Sequence, residues 1–330
     1  MLNIIIPVYH SRDTLPRALQ SLENQTDRKF LVTVVADGDG EDYSDIIAAS
    51  SLRISFFALG QNAGPGAARQ FGVDKTPLSI RWVMFLDADD YLQPRAVEIL
   101  TYEAEHCNAD LVASSIIHEE KVGVSTIIPA KKAQIWVHGK IYSHDFLVTN
   151  GIKFPKTYFN EDCLFNNICF LNTEKAFFVE EPLVIWKNHE GSLTRSKDIC
   201  AMLTKSIQGY AYNTTYLFDL IREEGLKINS TLKNPDFVLK WIVALYQQWM
   251  DYYTVCGRSL ENVETELKKF FAYPEVQSVL KRPRIMQKAE PATFYCYDDK
   301  LYFYRLSFDE FIYRFSGIRL DENYDYRREE

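Results

Sequence analysis

Four stretches in the first 110 residues are nearly continuous apolar runs: "LNIIIPVY", "FLVTVVADG", "RISFFAL" and "IRWVMFLDA". A strand with one wet face alternates apolar and polar residues, whereas a strand of a parallel sheet covered on both faces does not. These runs therefore predict buried parallel strands. Between them the period changes to that of a helix. Leu15, Ala18, Leu19 and Leu22 fall on one face, with Ser11 or Asp13 as the expected cap. "NAGPGAARQFGV" reads as a Gly/Pro turn entering a short helix with Pro65 in its first turn. A further helix is expected from Gln93–Pro94, with Ala96, Val97 and Leu100 facing inward. Strand and helix signals in alternation predict an α/β domain.

Residues 111–200 are less regular. "ADLVASSIIH" and "KAFFVEEPLVIW" read as strands, and "HGKIYSHDFLVTNGIKF" as a short helix ending in a turn at Asn150–Gly151. Beyond residue 200 the pattern becomes helical, with a broad apolar face in "PDFVLKWIVALYQQWMDYY" and an amphipathic "LENVETELKKFFA". The expected organisation is an α/β domain over 1–200 and a mainly helical domain over 201–330, the latter serving the acceptor or oligomerisation. The Trp/Tyr stripe of 241–253 is expected to be core before it is a sugar platform. The charged tail "DENYDYRREE" is expected to be mobile.

Composition narrows the function. Of 330 residues 47% are hydrophobic, and the formal net charge is −8, so a large nucleic-acid footprint is not expected. Six dispersed cysteines form no C-x-x-C pair and no zinc-like grouping, which reads as reduced thiols of a cytoplasmic protein. "MLNIIIPVYH" lacks a basic n-region and reads as a strand, not a leader. No segment reaches the roughly 18 apolar residues of a membrane helix. Peripheral membrane contact and homo-oligomerisation are left open.

The chemistry concentrates in "FLDADDYLQP". On an extended strand, residues i and i+2 point to the same side, so Asp87 and Asp89 would aim two carboxylates past the strand's carboxyl end. Ligands bind at that edge of an open α/β sheet, and two converging carboxylates suit Mg²⁺ or Mn²⁺. In isolation a D-x-D is more often a solvated acidic turn, with Asp90 a favourable charge near the next helix start. "VVADGDGED" is not a calcium loop, because Asp42 and Ala48 stand where Gly and Glu are needed. "GPGAARQ" is not a dinucleotide fingerprint, because Arg69 replaces the third glycine and the loop follows the third strand.

Seven segments in order resemble family 2 glycosyltransferases, the inverting, nucleotide-sugar-dependent enzymes of GT-A fold. They are "IIIPVYHSRDTLPRALQSLENQT", "VVADGDGED", "NAGPGAARQFGV", "FLDADDYLQP", "HGKIYSHDFLVTNGIKFP", "NEDCLFN" and "WKNHEGSLTRS". The resemblance covers about residues 1–200 and implies a Rossmann-like, mostly parallel sheet flanked by helices. It implies that Pro7 and Tyr9 line the nucleotide pocket and that Asp37 bonds the base, commonly uracil; the family often has a second acid where Ala36 stands. Asn62, Gly64 and Arg69 would approach the base or phosphates. Asp87 and Ala88 would contact the ribose or metal, and Asp89 would ligate the metal. Asp162, beside Glu161, would be the catalytic base. His189 and Arg195, with Ser192, would close over the diphosphate, and His189 would also serve as a metal ligand. The implied partners are a nucleotide-sugar, with a UDP-sugar as the expected donor, a Mn²⁺ or Mg²⁺ ion, and a carbohydrate or other hydroxyl acceptor.

Each residue has a plainer role. Asp162 can be the charge at a helix start, His189 a surface histidine, and Arg195 or Lys187 a surface ion-pair partner. His138 and His144 read as structural or acceptor-side. A nucleotidyltransferase would need a glycine-rich loop after the first strand, and "PVYHSRDTLP" has none. A non-catalytic binding protein of the same fold would have no use for the intact D-x-D and Asp162. A modified DNA base as acceptor would call on a basic patch including Lys131, Lys132 and Lys140, and it would show a steep salt dependence.

Overall fold

The computed structural model describes residues 1–121, 123–157, 159–187, 198–223, 235–257, 261–292, 294–297, 300–304 and 306–320. The chain divides into two compact units, Met1–Ser192 and Leu193–Glu330.

The first unit begins with β1 (Leu2–Val8), α1 (Leu15–Glu23), β2 (Phe30–Ala36), α2 (Ser44–Ala49), β3 (Ile54–Ala58), α3 (Pro65–Lys75) and β4 (Trp82–Phe85). It continues with β5 (Tyr91–Leu92), α4 (Ala96–His106), β6 (Leu111–Lys121), β7 (Val124–Ile128), β8 (Lys140–Ser143), α5 (His144–Thr149), α6 (Glu161–Asn172) and β9 (Ala176–Lys187). These strands form one sheet in the order β3-β2-β1-β4-β8-β6-β9-β5, with β7 paired to β6. The first four strands run parallel, and β6 and β9 also pair in parallel. β8 is antiparallel to both its neighbours, β4 and β6.

The apolar runs explain this order. β1 and β4 are buried along almost their whole length, which only a central strand covered on both faces can be. β3 carries exposed positions, Phe56 among them, and stands at the sheet edge. Leu15, Ala18, Leu19 and Leu22 of α1 are buried against the sheet, as their spacing requires. The cap is Thr14, whose side chain caps no helix N–H, in place of Ser11 or Asp13; Ser11 contributes its carbonyl instead. Ala96, Val97 and Leu100 of α4 are buried, and Gln25 Oε1 receives the Val97 N–H at 3.0 Å. "KIYS" is strand β8, not part of a helix; the helix is confined to His144–Thr149.

The second unit contains α7 (Ile199–Glu223), α8 (Pro235–Cys256), α9 (Glu261–Ala272), α10 (Pro274–Leu280), α11 (Pro283–Met286), the hairpin β10 (Phe294–Tyr297) with β11 (Lys300–Phe303), and α12 (Phe308–Ser316). Its core is aromatic: Trp249, Tyr252, Phe218, Phe270, Phe271 and Phe311 are fully buried. Trp241 and Tyr246 are buried too, so the stripe of 241–253 is helical core. The reading of all cysteines as reduced thiols is corrected here. α7 and α8 bring the Cα atoms of Cys200 and Cys256 to 5.8 Å, and the two form a disulfide. The thiols therefore give no argument for a reducing compartment. Among the described residues, no helix is long and apolar enough to cross a membrane.

Candidate active site

The carboxyl ends of β1, β2 and β4 converge because the three strands are parallel and in register. β4 ends at Phe85, two residues before the first acid. Asp87 to Asp90 then form a tight turn closed by the Asp90 N–H on the Asp87 carbonyl at 3.0 Å. Strand alternation therefore does not set the directions of Asp87 and Asp89. The residues that face one another are Asp87 and Asp90, and His138 lies between them. His138 Nε2 is 3.0 Å from Asp90 Oδ2 and 3.4 Å from Asp87 Oδ2.

Asp90 is fully buried, not a solvated helix-start charge. Its Oδ1 accepts the Lys187 N–H at 2.9 Å, which ties the turn to the end of β9. Burial raises the Asp90 carboxyl, with the His138 bonds opposing. Burial also acts to discharge His138, but the bonds to Asp87 and Asp90 outweigh it and lift the imidazole to about 10. His138 was read from sequence as structural or acceptor-side; its contact with the acids joins residues about fifty apart and leaves no local signal.

Arg69 on α3 is buried and forked. Nη2 donates to Asp87 Oδ1 at 2.6 Å and Nη1 to Glu161 Oε1 at 2.7 Å. Burial opposes the charge of Asp87, but Arg69 and His138 hold its carboxyl well below the ordinary range. α3 approaches α6 closely because Gly66 has no side chain: a Cβ there would stand 2.8 Å from Glu161 Cγ. Glu161 is buried and pushed up to about 7 by burial and by the neighbouring Asp162, against the pull of Arg69. Asp162, half-buried in the first turn of α6, is also raised, chiefly by burial. Its Oδ1 accepts the Cys163 N–H at 2.8 Å. Asp162 fills the helix-start position and feels the charges of Arg69, His138 and Asp87.

Asp37 is buried at the end of β2, and its two oxygens accept the N–H groups of Ala63 and Gly64, each at 2.8 Å. Asn62 Oδ1 accepts from the same Gly64 at 3.2 Å. Asp37 thus holds the loop that launches α3. Gly38 makes this possible: its φ is +69°, and a Cβ there would stand 2.1 Å from the Gln61 carbonyl carbon. Pro7 is half-buried on β1, Tyr9 is exposed beside His10, and Ala88 is buried within the acidic turn. Asp89 is half-buried, and its carbonyl accepts from Arg17. His10, exposed, with the half-buried Asp39 and Glu41 forms a second group of possible ligand atoms beside Tyr9. His189, Ser192 and Arg195 lie outside the described residues. Lys140 cannot belong to a surface patch. It is fully buried, with Nζ on the carbonyls of Ala133, at 2.7 Å, and Trp136. Burial lowers its ammonium to about 7.

The arrangement is an acidic site with two internal cations at the carboxyl edge of a parallel sheet. It can receive a polar ligand at that edge and offers raised carboxylates, Glu161 and Asp162, as proton acceptors.

Known proteins resemble this chain in sequence and in fold. Residues 3–159 match the model of "Glycosyl transferase family 2". The chain is 26% identical over 299 residues to "Glycosyltransferase GlyA" of Streptococcus pneumoniae, covering 82% of this chain and 40% of that one. Across three curated relatives it spans between 14% and 63% of their length. Among solved structures, S. aureus TarS 1-349 in complex with UDP-GlcNAc superposes with a TM-score of 0.54 at 17% identity, covering 93% of this chain and 99% of that one. That coverage reaches into the helical region after residue 200, for which the sequence suggested no relative. A mannosyltransferase, PcManGT of Pyrobaculum calidifontis, in complex with GDP-Man and Mn2+, gives a TM-score of 0.52 at 14% identity over 87% of this chain and 84% of that one. The fold is of GT-A type, with an additional helical C-terminal region, and the domain that holds this site is similar over residues 3–159 to glycosyltransferase family 2.

Proposed function

We propose that the protein moves a sugar from a nucleoside diphosphate sugar to an acceptor hydroxyl, with inversion at the anomeric carbon. One observation carries the reading: the Arg69 fork joins the turn after β4 to the start of α6, so Asp87, Glu161 and Asp162 share one site. Such a transfer needs a neutralised leaving diphosphate, a base for the acceptor proton, and the two substrates held in line. Asp162 is the base. Its raised proton affinity makes it a better acceptor than a surface aspartate, and Arg69 keeps the neighbouring Glu161 from competing for the same position. A direct displacement then breaks the bond between anomeric carbon and diphosphate as the acceptor oxygen forms its own.

The donor is a UDP-sugar on this reading, supported by TarS in complex with UDP-GlcNAc; GDP-Man in PcManGT is the nearest alternative. The residues fit a divalent cation. Ligand atoms of Asp87, Asp90 and His138 lie within 4.8 Å of one another, and Oδ2 of the buried Asp90 meets His138 Nε2 at 3.0 Å. The carboxylates suit Mn²⁺, and His138 would join them only as the neutral imidazole, its proton displaced by the cation. Asp89, in the same turn, is the further ligand expected of the D-x-D. When bound, the cation would supply Lewis-acid neutralisation of the leaving diphosphate. The acceptor is a glycan hydroxyl. A DNA acceptor loses support with Lys140 buried.

Calorimetry with UDP, GDP, CDP, ADP and dTDP, each with Mn²⁺ and with EDTA, tests the reading. Metal-dependent binding of one nucleotide, lost in Asp89→Ala, is expected. Binding of none of them overturns it.

A further inference from the structure

Trp136 and Trp186 are half-buried tryptophans beside the acidic turn. Trp186 is the penultimate residue of β9, next to the Lys187 amide that holds Asp90. Three rings gather on it: His118 at 4.5 Å, His138 at 5.1 Å and Trp136 at 5.3 Å between centroids. The His138 ring is nearly parallel to it, at 25°, while Trp136 is tilted at 48°.

The segment that carries Trp136 is strapped across the site. At one end Asn166, on the helix of Asp162, donates to the Ile135 carbonyl at 3.3 Å and to the Asp162 carbonyl at 2.9 Å. At the other end His138 meets Asp87 and Asp90. Beneath it the buried Lys140 ammonium gathers the carbonyls of Ala133, Trp136 and His138. Trp136 therefore lies on a short segment tied at one end to the helix of Asp162 and at the other to Asp87 and Asp90.

An acceptor hydroxyl must lie between that base and the anomeric carbon of the donor. Rings placed along this path meet the acceptor, not the nucleotide. Their chemistry names its class. A pyranose shows a face of C–H groups and a rim of hydroxyls, and an indole offers an apolar face with a polar edge. Lys187, next to Trp186, lies 3.6 Å from Glu119, and Lys140, which tethers the Trp136 carbonyl, is buried on carbonyls, so neither presents a free ammonium to the rings. A phosphate or nucleic-acid acceptor would need free cations there. We propose that Trp136 and Trp186 form the acceptor platform and that the acceptor presents a pyranose ring to it. This rests on the glycosyltransferase reading above.

The test is saturation-transfer NMR on the full chain with UDP and Mn²⁺ bound, using the methyl pyranosides of glucose, galactose, mannose and N-acetylglucosamine. At least one should receive saturation on its ring protons. Its affinity should fall about tenfold in Trp136→Ala and largely return in Trp136→Phe, with UDP binding alike in all three proteins. The same titration of Trp186→Phe keeps the test independent of the loop. Absence of saturation for every pyranoside, or equal affinity in Trp136→Ala, overturns the platform. Failure of UDP itself to bind sinks the donor reading instead, and is seen separately in the calorimetry.

Discussion

Arg69 and Glu161, 92 residues apart in the chain, meet at 2.7 Å in the interior of the first unit, and the same guanidinium reaches Asp87 at 2.6 Å. This fork links the acidic turn after β4 to the helix that carries Glu161 and Asp162. Planar, doubly directed bonding of this kind is specific to arginine.

Arg69→Met should therefore destabilise the first unit by about 3–5 kcal/mol, because buried acids lose their counter-charge. Arg69→Lys keeps the charge and loses one arm of the fork, so its loss should be smaller. Thermal denaturation of both variants checks the order. Equal melting temperatures for Arg69→Met and the unaltered protein would remove the fork from the account.

Asp162→Asn should lower transfer by about 10²–10⁴-fold and leave UDP binding within a factor of about two. The asparagine keeps the carbonyl oxygen that receives the Cys163 N–H, so α6 should start as before. Single-turnover transfer beside calorimetric UDP binding separates the two effects. A variant with most of the original rate would show that the base is another group.

In the second unit, Asp251 receives a hydrogen bond from Tyr304, and burial raises its carboxyl to about 6. The folded state thus holds this proton more tightly than the unfolded chain, whose aspartate titrates near 3.9. The stabilisation is fully present below pH ~4 and is lost as pH rises through about 6. Asp251→Asn keeps an acceptor for Tyr304 and carries no charge. It should be more stable than the unaltered protein at pH 8 by about 1–3 kcal/mol and nearly equal to it at pH 4, in denaturant titrations at the two pH values.

Cys200→Ser should destabilise the second unit by about 2–4 kcal/mol, since the bond spans 56 residues of chain. Reductant should lower the melting temperature of the unaltered protein and leave Cys200→Ser unchanged. A protein whose melting ignores reductant would mean that the two thiols are not joined in solution.

Much of the first unit was legible in the sequence because β1, β2 and β4 are buried on both faces, and that condition writes itself as uninterrupted apolar runs. The family motifs pointed to Arg69, Asp87 and Asp162, and the fold brings these three together. Other features depend on pairing that no local pattern records. β8 is only four residues long and runs into α5, so "KIYSHDF" mixes two periods. β4 ends two residues before Asp87, and the turn that follows turns Asp90 inward toward His138. Lys140 looks like a surface lysine until the 133–138 segment folds over it. The six cysteines show no spacing signal, and only the packing of α7 on α8 pairs two of them.

α3 holds one more consequence. It carries glycine at 66 and 72, each buried where a Cβ would collide, the latter 2.4 Å from Ile5 Cγ2. Each glycine costs about 1 kcal/mol of intrinsic helix stability relative to alanine, and eleven residues are too few to stand alone in water. The segment therefore becomes helical only by docking on β1 and α6. Arg69 can therefore make its fork only once α3 is docked on both partners, so the Arg69 contacts to Asp87 and Glu161 depend on the packing of the core around them.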